Sequence, residues 1–254
     1  MDIIVIGSDE VWNYQDAKAN SGIKFGKGLN NERLIAYAPS VGQSDILNVP
    51  DYVRDGICKF YAVSARDSQT EQLACDIRKE KIERVADPTF LSESPDEVVP
   101  DIERDFLLFY YCDKLPEEEK HKILKYAELH NLAVYGAGEC DRAYTANTVN
   151  LTPFQWVWMF RHARYVITGT FHGAVFSMLN HRQFCCYLTN ASRISKVTSL
   201  LTEFNLQDRI CSANSEEILN KLAERIDYDN VEYMFNMLRK ESRTYLETAI
   251  KSNN

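Results

Sequence analysis

The stretch YVITGTFHGAVFSM, residues 165–178, decides the fold. An apolar run ends at Gly169, and a second apolar run with helical spacing starts within about two residues, which is the strand–turn–helix step of a parallel α/β sheet. Thr170 falls where a helix N-cap belongs, and His172 and Gly173 fall in the first turn. Backbone N–H groups without intrahelical partners and the positive end of the helix dipole make such a turn attractive to an anion. Gly173 has no side chain to hold a ligand away, and His172 brings a hydrogen-bond donor or a proton-transfer group. A histidine that only caps or packs at a helix start fits the same residues equally well.

Working outward, the same step repeats. IIVI (3–6), LIAYAPS (34–40), FYAVSARD (60–67) and VADPTF (85–90) read as short buried strands, with helices over 50–59 and 68–80. FLLFYYC (106–112), LAVYGAG (132–138), TVNL (148–151) and QFCCYL (183–188) read as further strands. Helices are expected over 116–130, 153–163, 171–181, 193–204, 214–226 and 230–251. Thr152-Pro153-Phe154-Gln155 carries the signature of a capping box with proline at the first helical position. Strands alternating with helices predict parallel sheets. The acidic, proline-containing stretch SESPDEVVPDIER (92–104) lacks periodicity and marks a boundary.

The fold class expected is therefore α/β, with two Rossmann-like parallel-sheet halves. Residues 1–95 form a partial N-terminal Rossmann-like domain, 96–229 a C-terminal Rossmann-like domain, and 230–254 a last helix placed so that it can cross back to the first half. The first half reads as incomplete, because a doubly wound domain holds about five or six strands and fewer are legible before residue 92. A missing N-terminal segment is the simplest expectation.

Composition narrows the function. A net charge of −8 argues against broad binding to nucleic acid or to anionic membrane, while leaving room for a local cationic pocket. No apolar run approaches the roughly 18 residues of a membrane span, and MDIIVIGSDE lacks the basic start of a secretory signal. Seven cysteines without paired or metal-ligand spacing fit a reducing compartment, so a cytoplasmic location is expected, with at most peripheral membrane contact. No metal site is read, and HExxH, P-loop, GxSxG and GxGxxG motifs are absent.

Polar side chains gather at the expected strand ends, where such sheets bind ligands. Arg66, in SARD, can bind a carboxylate or phosphate in bidentate fashion, or be a surface arginine that pairs with Asp67 or Asp87. In GSDEVWN (7–13), Ser8 and Asp9 can meet a hydroxyl or cap the next turn. Trp12 can stack on a sugar face or sit in the core. Ser40 follows the second strand.

In this order, DIIVIGSDEVWN (2–13), AYAPSVG (36–42), VSARDSQT (63–70), VADPTFL (85–91), LTPFQWVWMFRHARYVITGTFHGAVFSM (151–178) and QFCCYL (183–188) resemble the polysaccharide pyruvyl transferase family. The resemblance implies a GT-B-like arrangement and transfer of pyruvate from phosphoenolpyruvate onto two hydroxyls of a sugar, with phosphate leaving. It implies that His172 faces the donor as a catalytic group, with Asp9 a second candidate. Arg66, Thr170 and Gly173 would bind the donor, and Ser8, Trp12 and Ser40 the acceptor. No cofactor is implied beyond phosphoenolpyruvate as donor substrate. The partner implied is a sugar or lipid-linked glycan acceptor, and a homo-oligomer is compatible with this.

Two departures stand out. Some members carry Arg where this chain has Thr170, and members carry a further N-terminal segment with acceptor-binding groups. Two other readings remain open. One is a GT-B-like glycosyltransferase with a nucleotide near Gly136, Gly138 and Thr152. The other is an inactive truncated paralogue or fragment.

Overall fold

The computed structural model describes residues 3–17, 21–29, 33–92, 98–102, 105–112 and 114–251. The chain divides into two compact units. The first comprises residues up to Ser92 together with those from Phe235 onward, and the second runs from Glu93 to Met234. Sequence placed the late boundary at 229/230, whereas the division falls inside the last helix.

In unit 1, β1 (Ile3–Gly7), β2 (Arg33–Tyr37), β3 (Ala62–Ala65) and β4 (Glu83–Arg84) form a four-stranded sheet in the order β1-β2-β3-β4, all parallel. β2 is buried along its whole length, and its apolar run LIAY reflects cover on both faces. One face is covered by α1 (Asp51–Lys59) and α2 (Ser68–Arg78), with Val53, Ile57 and Leu73 packing around Trp12, Phe25 and Phe60. On the other, Tyr37, Ala38 and Val85 meet Tyr245 and Leu246, which come from the end of the chain. Asp67 starts α2 as sequence chemistry predicts, its carboxylate accepting the Thr70 N–H.

Unit 2 holds β5 (Phe106–Tyr110), α3 (Glu117–Leu129), β6 (Ala133–Gly136), α4 (Pro153–His162), β7 (Tyr165–Thr168), α5 (Phe171–Leu179), β8 (Gln183–Tyr187), α6 (Ala191–Glu203), β9 (Ile210–Cys211) and α7 (Ser215–Ala223). Its five strands are all parallel, in the order β6-β5-β7-β8-β9. The chain leaves β5 towards β6, then returns to place β7 on the other side of β5. The carboxyl ends of β5 and β7 thus flank a topological switch point, the place where open α/β sheets bind ligands. The capping box at Thr152 is present: Gln155 N–H donates to Thr152 Oγ1 at 3.3 Å, and Thr152 N–H donates to Gln155 Oε1 at 3.0 Å.

α8 (Tyr228–Lys251) begins in unit 2 and ends in unit 1. In unit 1 its Ser242 Oγ accepts the Ala86 N–H at 2.8 Å, and Tyr245 donates to the Ala36 carbonyl at 3.1 Å. No helix among the described residues is long and apolar enough to cross a membrane.

Two local expectations are corrected. The strand read at 85–90 is replaced by the two-residue β4 and a 3-10 turn over Pro88–Phe90. Pro88 has no N–H for a ladder, and the Asp87 carboxylate takes the Thr89 N–H instead. Residues 148–151 form a turn, because the Thr148 hydroxyl is committed to the Gly136 and Glu139 carbonyls behind the end of β6. The two-residue β9 carried no legible periodicity. Part of the 92–104 boundary segment, residues 93–97 and 103–104, lies outside the described residues.

Candidate functional sites at the strand ends

In unit 1 the close of β1 is tight. A Cβ on Gly7 would lie 2.4 Å from the Tyr37 carbonyl oxygen, so the ends of β1 and β2 meet only because residue 7 is glycine. Ser8 and Asp9 then both take left-handed φ values of 56°, uncommon for residues with a side chain and most tolerable for short polar ones. Two backbone bonds join this loop to the one after β2: Ser40 N–H to Asp9 O at 2.8 Å and Trp12 N–H to Ser40 O at 3.1 Å.

This geometry brings Asp9 to Arg66, which follows β3. Arg66 Nη1 lies 2.9 Å from Asp87 Oδ2 and 3.1 Å from Asp9 Oδ1, and Ser8 Oγ donates to Asp87 Oδ2 at 3.4 Å. The Arg66 and Asp87 side chains are 8% and 5% exposed, whereas Asp9 is 68% exposed. Burial pushes the Asp87 carboxyl upward. The Thr89 hydroxyl and amide, together with the Arg66 guanidinium, outweigh that and hold it below the ordinary carboxylate range. Arg66 is thus a positioned cation with Asp9 as its solvent-facing partner, and the pairing with Asp87 is one of the alternatives that the sequence offered.

Trp12 and Ser40 do not reach this group. Trp12 is fully buried, stacks on Phe25 at 5.7 Å, meets Phe60 edge-on at 5.6 Å and donates its Nε1–H to Lys24 O at 2.9 Å. Its ring faces belong to the core, so the expected sugar platform is a packing residue. Ser40 is 1% exposed, and its hydroxyl accepts the Gly42 N–H. Of the three expected acceptor residues, only Ser8 keeps partial exposure.

In unit 2 the turn after β7 forms as read. Thr170 is the N-cap of α5, and its Oγ1 accepts the Gly173 N–H at 3.0 Å. That bond engages the Gly173 amide, so this group is not offered to a ligand. The absent side chain of Gly173 serves packing instead: a Cβ there would lie 2.0 Å from Thr168 Oγ1. His172 is half-buried, with Phe171 edge-on at 5.4 Å. Among the described residues nothing hydrogen-bonds its imidazole. Replacing Thr170 by Ala should lower stability by about 1 kcal/mol through loss of the cap, read as a lower urea midpoint at unchanged slope.

Unit 2 also carries a cleft of about 710 Å³ at the carboxyl ends of β5 and β6. Tyr110, Tyr111, Glu139, Trp156, Asn190 and Arg193 are among its lining residues. None of these is among the site residues expected from sequence. The legible clue was the place of Tyr110 and Tyr111 at the end of β5, one of the two strands that flank the switch point. Of the glycines considered for a nucleotide, Gly138 lines the cavity with φ 76°, and Gly136 closes against Tyr144.

Two helix-covered parallel sheets, with polar and titratable side chains collected at their carboxyl edges, define an α/β protein of the kind that works at strand ends. The family model described as polysaccharide pyruvyl transferase matches residues 1–190, and the chain belongs to that family. No curated protein matches the sequence. Among solved structures, the glycotransferase of kitacinnamycin is similar at 8% identity and a TM-score of 0.41, covering 93% of this chain and 64% of that one. A Thermobaculum terrenum O-GlcNAc transferase mutant is similar at 9% identity and a TM-score of 0.36, covering 87% and 45%. The chain therefore spans less than two thirds of the length of either structure.

Proposed function

We propose that the chain takes part in transfer of a pyruvyl group from phosphoenolpyruvate to a sugar of a cell-surface polysaccharide or its precursor. Membership of the polysaccharide pyruvyl transferase family across residues 1–190 carries this reading. Each unit supports it separately: unit 1 with the buried, acid-braced Arg66, and unit 2 with the capped helix start that presents His172.

The chemistry asks for such groups. A proton must reach the methylene carbon of phosphoenolpyruvate, turning it into a methyl group and leaving the neighbouring carbon electrophilic. Two sugar hydroxyls attack that carbon in turn, two carbon–oxygen bonds form, and the bond to phosphate breaks. Of the two hydroxyl protons released, one balances the new methyl group and the other leaves with phosphate. In this reading His172 handles one of the proton transfers, while cationic and N–H donors stabilise the departing charge. Asp9 is assigned to orienting an acceptor hydroxyl.

The test is a thermal melt with phosphoenolpyruvate, with CMP and UDP as controls, on wild type and His172→Ala. A ligand that binds only the folded protein stabilises it by about 2.7 kcal/mol at a hundredfold excess over its Kd. An upward shift with phosphoenolpyruvate that His172→Ala removes is the expected result. A shift with a nucleotide and none with phosphoenolpyruvate would overturn the reading in favour of nucleotide-sugar transfer.

A further inference from the structure

The burial of Trp12 and Ser40 removes two of the three side chains expected to meet an acceptor, whereas the cavity of unit 2 has no role assigned. Its lining combines flat rings with polar groups. Tyr111 is 49% exposed and takes φ 56°, which an aromatic residue rarely adopts. Glu139 Oε1 accepts its N–H at 2.6 Å, and the Arg193 guanidinium lies over its ring, 5.1 Å from the centroid. Trp156 is only half-buried and packs edge-on against Tyr110 at 5.3 Å.

The charges in this lining balance: Lys114, Lys120 and Arg193 stand against Glu117, Glu139 and Asp141. Lys120 and Asp141 already form an ion pair with each other. A charged ligand would gain little from such a wall. A pyranose would gain more, because its C–H faces suit aromatic rings and its rim of hydroxyls can both donate and accept. Carboxylate, guanidinium, amide and hydroxyl groups are all at hand to answer them. Burial raises the Tyr110 phenol to about 12, so its hydroxyl stays neutral and able to donate.

The cavity also adjoins the turn that carries His172. Tyr110 pairs with Thr168 across β5 and β7, and Gly169 N–H donates to Tyr110 O at 2.8 Å. A Cβ on Gly169 would lie 2.2 Å from the Tyr111 carbonyl oxygen, so the two strand ends touch through backbone. We infer that the unit 2 cavity is a saccharide subsite holding a neutral pyranose of the acceptor glycan beside the His172 turn. The inference rests on the transferase reading for the word acceptor, and on the cavity alone for sugar binding.

Saturation-transfer NMR with methyl glycosides of glucose, galactose, mannose and N-acetylmannosamine tests it, with UDP and inorganic phosphate as separate arms. Wild type, Tyr111→Gly and Trp156→Ala are compared. Tyr111→Gly removes the ring while suiting the left-handed backbone, so it keeps the test valid if Trp156→Ala fails to fold. The expected result is binding of at least one glycoside, weakened about tenfold by loss of an aromatic wall. Glycoside binding that survives Tyr111→Gly at full strength, or no signal from any glycoside, would overturn the inference. So would cavity-dependent binding of UDP or phosphate alone. The phosphoenolpyruvate melt fails or succeeds independently of this outcome, so loss of the donor reading and loss of the subsite are told apart.

Discussion

Replacing Arg66 by Ala should destabilise the protein by about 3–5 kcal/mol, the scale on which removal of one member of a buried ion pair is felt. The Asp87 carboxylate left behind is 5% exposed and cannot recover its solvation without moving. Against a typical stability of about 5–15 kcal/mol, that is a large fraction, and urea unfolding at neutral pH measures it. The pH dependence gives a second reading of the same change. In the wild type the Asp87 pKa is depressed by folding, so its contribution is fully present above the unfolded value and is lost as pH falls through the folded value. Without Arg66, burial has less opposing it. The folded pKa rises, and loss of stability on acidification should begin at higher pH than in the wild type. If Arg66→Ala unfolds at the wild-type urea concentration with an unchanged acid limb, the pair does not brace this edge. Asp9→Ala, which removes the exposed partner, should have a much smaller effect.

Trp12→Ala should cost a similar amount, about 3–5 kcal/mol, for a different reason. The indole is fully enclosed between Phe25 and Phe60, and truncation leaves a cavity that the parallel sheet and α1 can close only in part. It also leaves the Lys24 carbonyl without its indole donor. The prediction distinguishes core from platform. A sugar-stacking tryptophan would lose glycan binding at nearly unchanged stability, whereas the buried one should lower the urea midpoint sharply and leave saccharide binding in unit 2 unaltered.

The features that sequence made legible are those set by neighbours in the chain. The Thr152 capping box, the Thr170 cap and the strand–turn–helix step at 165–178 depend on a few consecutive residues, and each forms as read. The partnership of Arg66 with Asp87 was one of the alternatives, because both residues follow strands that must lie side by side. Burial of Trp12 was not decided by its spacing, since a residue just past a strand can turn to either side of the sheet. The turn at 148–151 deceived because Val149 and Leu151 sit among residues with strand preference, while the long-range commitment of Thr148 to Gly136 and Glu139 decides the conformation. The unit 2 cavity was hidden for the same reason: its walls come from the ends of β5 and β6 and the start of α6, which are neighbours only once the sheet has formed.

α8 gives unit 1 a discontinuous history. The Ala86 N–H waits for a hydroxyl 156 positions further along the chain, the Phe90 carbonyl for Arg239, 149 positions on, and the Ala36 carbonyl for Tyr245, 209 positions on. As the polypeptide leaves the ribosome, β1 to β4 therefore emerge well before the helix that covers one of their faces. Unit 2 is contiguous and can close first, so strands made before unit 2 complete their packing after it, with Tyr37, Ala38 and Val85 uncovered in the interval.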